Sequence, residues 1–384
     1  MNSNDDGLSP YLALWLQGEC RVSEGNLLAW LRAQRLLPLL MWRAQQQGWD
    51  FPSTFVCAAR EAQYREQAQQ TVAENQLHVF GSLAQSLNIP VVLVKGAAVA
   101  QVYPQPWMRP YTDIDLLVSE VHIGDFLAAL ATLGYVPVEK SVGQRGYHVP
   151  PLVPQGVGVK VEVHTALARE RERVRFTFEE WYDDLRPWSA APGLWIPDTT
   201  DHALYLIHHA IVHHELMLGL LPIADLYFWT QGWDIYTWQQ LACKASTAGL
   251  HRVVGLALAL MAWAWDIDWP EDICQLFPRP AGDVLKIAQR LVIGEGVQKM
   301  PNVWRDLTEH NMRGLLKYLS LVVFGDPGTR RALPWKARAR FYLQRPFHLL
   351  NHHAPTLWKL LCGDRQTRAA WQAQRRLQAW IQDQ

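Results

Sequence analysis

Apolar positions along the chain change their period twice. From residue 8 to about 88 they recur at helical spacing. Leu27, Leu28, Leu31, Leu36, Leu37, Leu39 and Leu40 form one stripe, and Glu61 to Gln76 is a polar, Gln-rich helical pattern. Breakers at Pro38, Gly48 and Pro52 predict three or four helices here. From Asn88 the period shortens. Ile89 to Val94 is a β-branched run of the buried-strand type, and Asp113 to Val118 predicts a second strand. Ile123 to Leu133 reads as an amphipathic helix closed by Gly134. Gly156 to His164 alternates, with Val157, Val159, Val161 and Val163 on one face and Lys160, Glu162 and His164 on the other.

After Pro197 the pattern is helical again. Asp198-Thr199-Thr200-Asp201 is a helix-start signal, because short oxygen-bearing side chains cap the first free N–H groups. Helices are expected from His202 to about Leu218, Ala224 to Thr230, Trp238 to Ala248 and Leu250 to Trp265. The pattern predicts an α+β fold: a small mixed β-sheet at 86–197, N-terminal helices at 1–85, a larger helical region at 198–326 and a basic helical tail at 327–384. No internal repeat or low-complexity segment interrupts it.

At 384 residues the chain is long enough for two or three domains with a substantial core. Its formal net charge of zero argues against a polyanion binder as a whole. Nineteen tryptophans predict dense core and inter-helix packing, a stacking role for a few being the alternative. Cys20, Cys57, Cys243, Cys274 and Cys362 are scattered and form no CxxC pair, which fits a reducing, cytoplasmic setting. The opening MNSNDDGLSP is acidic and polar, unlike a signal peptide. The longest apolar runs, such as Val253 to Trp265, fall short of the roughly 20 residues a bilayer requires, so no transmembrane segment is expected. From Pro327 onwards eleven Lys or Arg face only Asp364 and Asp383. That tail reads either as a contact for an anionic partner (RNA, an acidic protein or an anionic membrane surface) or as a solvated basic face.

The densest chemistry lies between Lys95 and His164. In a strand, Asp113 and Asp115 point the same way, about 7 Å apart, while Ile114 faces the core. Such a pair calls for a cation, and Mg²⁺ held by a few carboxylates against a nucleoside triphosphate is the expected use. Glu162 is the expected third carboxylate, on a strand whose polar face also alternates correctly. Lys95-Gly96 opens a short helix, so its backbone can approach a phosphate closely, with Lys95 and Arg109 adding positive charge. His209 and His213 share a helix face, which suits a metal, a hydrogen bond to substrate, or plain structural packing. His164 reads either as a group orienting a carboxylate or as a surface imidazole. Asp225, an acid inside an apolar run, reads as a cap, a paired core carboxylate or a base on the acceptor side. The mixed-sign run from Ala168 to Phe176 reads as a solvated segment.

The segments KGAAVAQVY, RPYTDIDLLV and VEVHTAL together resemble the nucleotidyltransferase superfamily that shares the fold of DNA polymerase β. More narrowly, they are similar to a bacterial family of uncharacterised nucleotidyltransferases over roughly residues 75 to 230. The resemblance implies a polymerase β-like core that moves an NMP from an NTP to an acceptor. It implies Mg²⁺ or Mn²⁺ on Asp113, Asp115 and Glu162, and Lys95, Gly96 and Arg109 at the triphosphate. His164, His209, His213 and Asp225 correspond to the family's E-x-H strand, paired histidines and later Asp-Leu. The acceptor stays open among a small molecule, a peptide or protein, and tRNA. The phosphate turn departs from the superfamily's Gly-Ser or Gly-Gly: it is Gly96-Ala97, seventeen residues before Asp113. The alternative is therefore a nucleotide-binding or scaffold module without turnover. Three carboxylates kept together without a metal are expected to be costly, which opposes that alternative.

Overall fold

The computed structural model of the chain describes Trp15 and residues 23–138, 149–168, 174, 176–294 and 365–382. Three helices open the described chain, and the breakers set their ends. Helix α1 (Glu24–Gln34) stops at Arg35, which adopts a left-handed conformation with φ 59°. Helix α2 (Leu37–Gln47) carries Pro38 in its first turn and closes on left-handed Gly48. Pro52 precedes α3 (Ser53–Leu87), a 35-residue helix that absorbs the whole Gln-rich stretch. At 1.5 Å per residue it runs about 50 Å, long enough to back the entire sheet.

Among the described residues the sheet has seven strands in the order β3-β4-β5-β2-β1-β7-β6. They are β1 (Val91–Val94), β2 (Asp113–Leu117), β3 (Tyr135–Pro137), β4 (Leu152–Pro154), β5 (Lys160–His164), β6 (Arg186–Pro187) and β7 (Leu194–Ile196). β2 pairs antiparallel with β1 and parallel with β5. Val91, Leu93, Ile114, Leu116, Val161 and Val163 point to one face and pack with Ala73, Leu77 and Phe80 of α3. Phe126 and Leu130, from helix α5 (Ile123–Thr132), close the same core. α4 (Gly96–Ala100) follows β1, and the short α6 (Phe178–Trp181) lies between β5 and β6 in the chain. The opposite face offers Val92, Val94 and Leu117 to the helical region, and the polar residues of β2 and β5 lie on that side. A period of two therefore puts the chemistry between sheet and helices.

Two sequence expectations are corrected here. The alternating run begins as a strand only at Lys160, and Val157 is 87% exposed. The approach to the strand is held instead by Gln76 of α3. Its amide oxygen accepts from the Val159 N–H at 2.7 Å, and its Nε2 donates to the Val159 carbonyl at 3.1 Å. The predicted helix from His202 to about Leu218 is also interrupted. Helix α7 (Thr199–Ile207), capped by Asp198 accepting from the Thr200 N–H, widens into a π-turn at His208–His213. Glu215 and Leu216 then take positive φ values of 51° and 62° and end it.

The helical region continues as α8 (Leu221–Trp229), α9 (Ile235–Thr247), α10 (His251–Trp265), α11 (Glu271–Leu276) and α12 (Gly282–Ile293). Trp238 sits at its centre, with ring centroids of Trp233 at 4.9 Å and Trp269 at 5.4 Å. The C-terminal helix α13 (Arg365–Gln382) buries Leu377 and places Trp380 under Arg252 at 4.7 Å. The N-terminal segment before Ser23 apart from Trp15, most of the mixed-sign run after Ala168, and the tail from 327 to 364 lie outside the described residues. Among the described residues no helix is long and apolar enough to cross a membrane.

Gly81 of α3 lies against the β6–β7 connection: a Cβ there would run into the Pro192 carbonyl. Because the obstacle is backbone, Gly81→Ala is expected to destabilise the chain by about 1–3 kcal/mol. A lowered thermal midpoint relative to Gly25→Ala, where the added methyl meets nothing, checks this.

Candidate active site

The register of three strands assembles the site. Asp115 of β2 lies beside Glu162 of β5 and beside Val94 of β1, and Asp113 lies beside Lys160. Lys95 follows Val94, so it leaves the end of β1 next to Asp115. Its Nζ lies 2.7 Å from Asp115 Oδ1, and His164 Nε2 reaches the same oxygen at 2.9 Å. On the outer side of the face, Lys160 Nζ lies 2.5 Å from Glu162 Oε1 and 3.3 Å from Asp113 Oδ2. Each carboxylate thus has an ammonium partner within the chain. Burial opposes the charge on Asp115, but Lys95 and His164 outweigh it and hold the carboxyl below the usual range. Asp113 goes the other way: burial first, then Asp115 and Glu162, raise it despite Lys160.

Lys95 occupies an unusual backbone position, φ 53° and ψ −136°, which a side chain rarely adopts and which carries about 1–3 kcal/mol of strain. The helical region secures it. The Lys95 N–H donates to His202 Nε2 at 3.3 Å, and the Tyr205 ring lies near enough to the Lys95 ammonium to feel its charge. His202 is fully buried and meets Trp229 edge-on at 4.4 Å. To accept at Nε2 it must carry its proton on Nδ1 and stay neutral, and burial lowers its pKa to about 3. His209, from the π-turn, is half-buried beside this group. Burial first, then the Lys95 charge and the neighbouring histidines, hold it well below the usual imidazole range.

Asp225 is a paired core carboxylate, one of the readings open to it, and its partner is Arg109, the guanidinium expected at the triphosphate. Arg109 donates from Nε to Asp225 Oδ1 at 3.0 Å and from a terminal nitrogen to Oδ2 at 2.7 Å, and the Tyr103 hydroxyl donates to Oδ1 at 2.6 Å. This buried fork ties the sheet side of the molecule to α8. Gly96 has no room for a side chain, since a Cβ would lie 3.1 Å from that of Tyr111 and 3.5 Å from the Arg109 guanidinium.

Among the described residues, one set of three presents ligand atoms that all lie within 4.8 Å of one another: Asp115, Glu162 and His164. Two carboxylates and an imidazole are a donor set that fits a divalent cation. Asp113 shares the face but turns its carboxylate towards Lys160. His209 and His213 stack with centroids 5.7 Å apart, and His213 is not drawn into that set. His164 is only 2% exposed, so it is no surface imidazole, and its Nε2 lies 2.9 Å from Asp115 Oδ1. Lys95 and Lys160 offset part of the charge of the three carboxylates, two ammonium groups against three acids, and Asp113 still feels Asp115 and Glu162. Sequence reasoning missed Lys160, Tyr205 and His202. Lys160 alternates with Glu162 and could have been found by that signal, whereas the other two depend on how α7 packs over β1.

A mixed sheet with Asp-x-Asp on one strand, a third carboxylate beside it on a parallel strand and a Lys-Gly turn at the next strand end defines a nucleotidyltransferase core. The chain belongs to the family described as uncharacterised nucleotidyltransferase, whose model matches residues 22–266. No curated protein matches the chain.

Two outcomes follow from the contacts around this core. Asp225→Ala leaves the Arg109 guanidinium buried without its fork and is expected to destabilise the fold by about 3–5 kcal/mol, read as a lower denaturation midpoint. His202 stays neutral in the fold to about pH 3 but takes up a proton near pH 6.5 when unfolded. Its contribution is complete above pH 6.5 and is lost as the pH falls towards 3, with a slope of up to about 1.4 kcal/mol per pH unit. His202→Gln, which keeps an acceptor without that titration, is expected to flatten this part of a stability–pH curve.

Proposed function

We propose that the chain is a metal-dependent nucleotidyltransferase. An acceptor hydroxyl attacks the α-phosphate of a nucleoside triphosphate, the bond between the α- and β-phosphates breaks, pyrophosphate leaves, and the NMP remains on the acceptor. The observation that carries this reading is the side-by-side register of Asp115 and Glu162 with Asp113 on the same face, in a chain of a nucleotidyltransferase family.

Asp113, Asp115 and Glu162 are the residues that would hold Mg²⁺ or Mn²⁺, with His164 fixing the orientation of Asp115. These residues would hold a cation that would supply positive charge for the phosphate oxygens and make an attacking hydroxyl more acidic. Lys95 supplies a positive charge at the mouth of the turn for the triphosphate, and Gly96 keeps the backbone low beside it. Arg109 acts from behind: its fork to Asp225 fixes the loop that leads into β2. His209 gives the helical side a neutral imidazole facing the same space, with His213 stacked against it. The acceptor is a small molecule, a peptide or protein, or tRNA.

The second reading, nucleotide binding without turnover, is favoured by Gly96-Ala97 and by two lysines that already pair with the three acids. One experiment separates them. Incubation of a host lysate with α-³²P-labelled NTPs and Mg²⁺ or Mn²⁺ is expected to place label on an acceptor. That transfer is expected to vanish with Asp113→Ala/Asp115→Ala. Intact NTP binding with no label on protein, RNA or small molecules would favour the second reading.

A further inference from the structure

The carboxylates suited to a cation already hold two, both supplied by the chain. Lys95 lies on Asp115, and Lys160 lies between Asp113 and Glu162. The two lysines are not equivalent. Lys95 is 16% exposed and fixed by a strained backbone whose amide is tied to His202. Lys160 is 34% exposed, sits at the first position of β5, and reaches its partners by a flexible four-carbon stem. It therefore has both solvent to move into and few contacts to give up. Asp113 and Glu162, at 31% and 23% exposure, are open on the same side. An ammonium at 2.5 Å and 3.3 Å uses the same carboxylate lone pairs that a divalent cation needs, so the two compete.

We propose that Lys160 is a placeholder in the metal position between Asp113 and Glu162, and that it leaves only when a polyphosphate arrives to receive its charge. Without nucleotide, Lys160 keeps the affinity for divalent cations low. A triphosphate draws the ammonium off the carboxylates, so cation and nucleotide load together, each tightening the other by the same factor. Lys160 is thus a positioning residue that sets loading order, and it guards the acids from idle metal capture. This inference rests on the nucleotidyltransferase reading above.

The test is Mn²⁺ binding to the full chain, followed by electron paramagnetic resonance, for the wild type, Lys160→Met, Lys160→Gln and Asp113→Asn. Without nucleotide, both neutral Lys160 variants are expected to bind Mn²⁺ about tenfold more tightly than the wild type, since a competing charge is gone. A non-hydrolysable NTP analogue is expected to tighten Mn²⁺ binding strongly in the wild type and much less in these variants. Asp113→Asn is expected to weaken it throughout. Equal or weaker Mn²⁺ binding in whichever neutral variant melts like the wild type overturns the proposal, even while label transfer by the wild type keeps the nucleotidyltransferase reading. Absence of Mn²⁺ binding in every form, with and without the analogue, overturns both.

Discussion

Negative charge gathered on one face of a half-buried sheet demands positive charge close by, and the centre of this molecule is arranged around that demand. β2 carries two aspartates, and each neighbouring strand returns a lysine to it: Lys95 from the end of β1 and Lys160 from the start of β5. The first is bound by geometry that few residues tolerate, a positive φ at a non-glycine position. The helical region makes that position tenable by offering an imidazole to the Lys95 amide. Sheet, turn and helices are thus linked through one local charge balance.

The face of β2 was legible from a period of two, because Asp113, Ile114 and Asp115 need only a strand to sort them. The mixed sheet and its flanking helices were legible for the same reason, and Pro38, Gly48 and Pro52 marked helix ends that the structure keeps. Register was not legible. Nothing in the sequence near Glu162 states that it pairs beside Asp115 rather than Asp113; that follows from the parallel alignment of β2 and β5. The alternation at Val157 misled because a glutamine of the long helix, not a neighbouring strand, pairs with the backbone at Val159. The fork between Arg109 and Asp225 spans 116 positions, a separation that local pattern cannot see.

The π-turn at His208–His213 is the other feature that periodicity concealed. One widened turn rotates the residues after Ile207 relative to a regular helix, and such bulges concentrate at functional sites. Here the turn brings His209 beside Tyr205, with ring centroids 5.8 Å apart. Its far end is anchored from a distance: buried Glu215 accepts from Gln378 of the C-terminal helix at 2.8 Å and also from Gln374. Residues of the C-terminal helix therefore help to fix the turn that carries His209.

The buried fork of Arg109, Asp225 and Tyr103 has a bearing on how such a sequence can change over time. Losing either charge alone strands the other in a place without water, and a lysine cannot reproduce the two parallel bonds of the guanidinium. Drift at position 109 is open only through a simultaneous change at 225, so this part of the chain is inherited as a unit although its members come from opposite sides of the molecule.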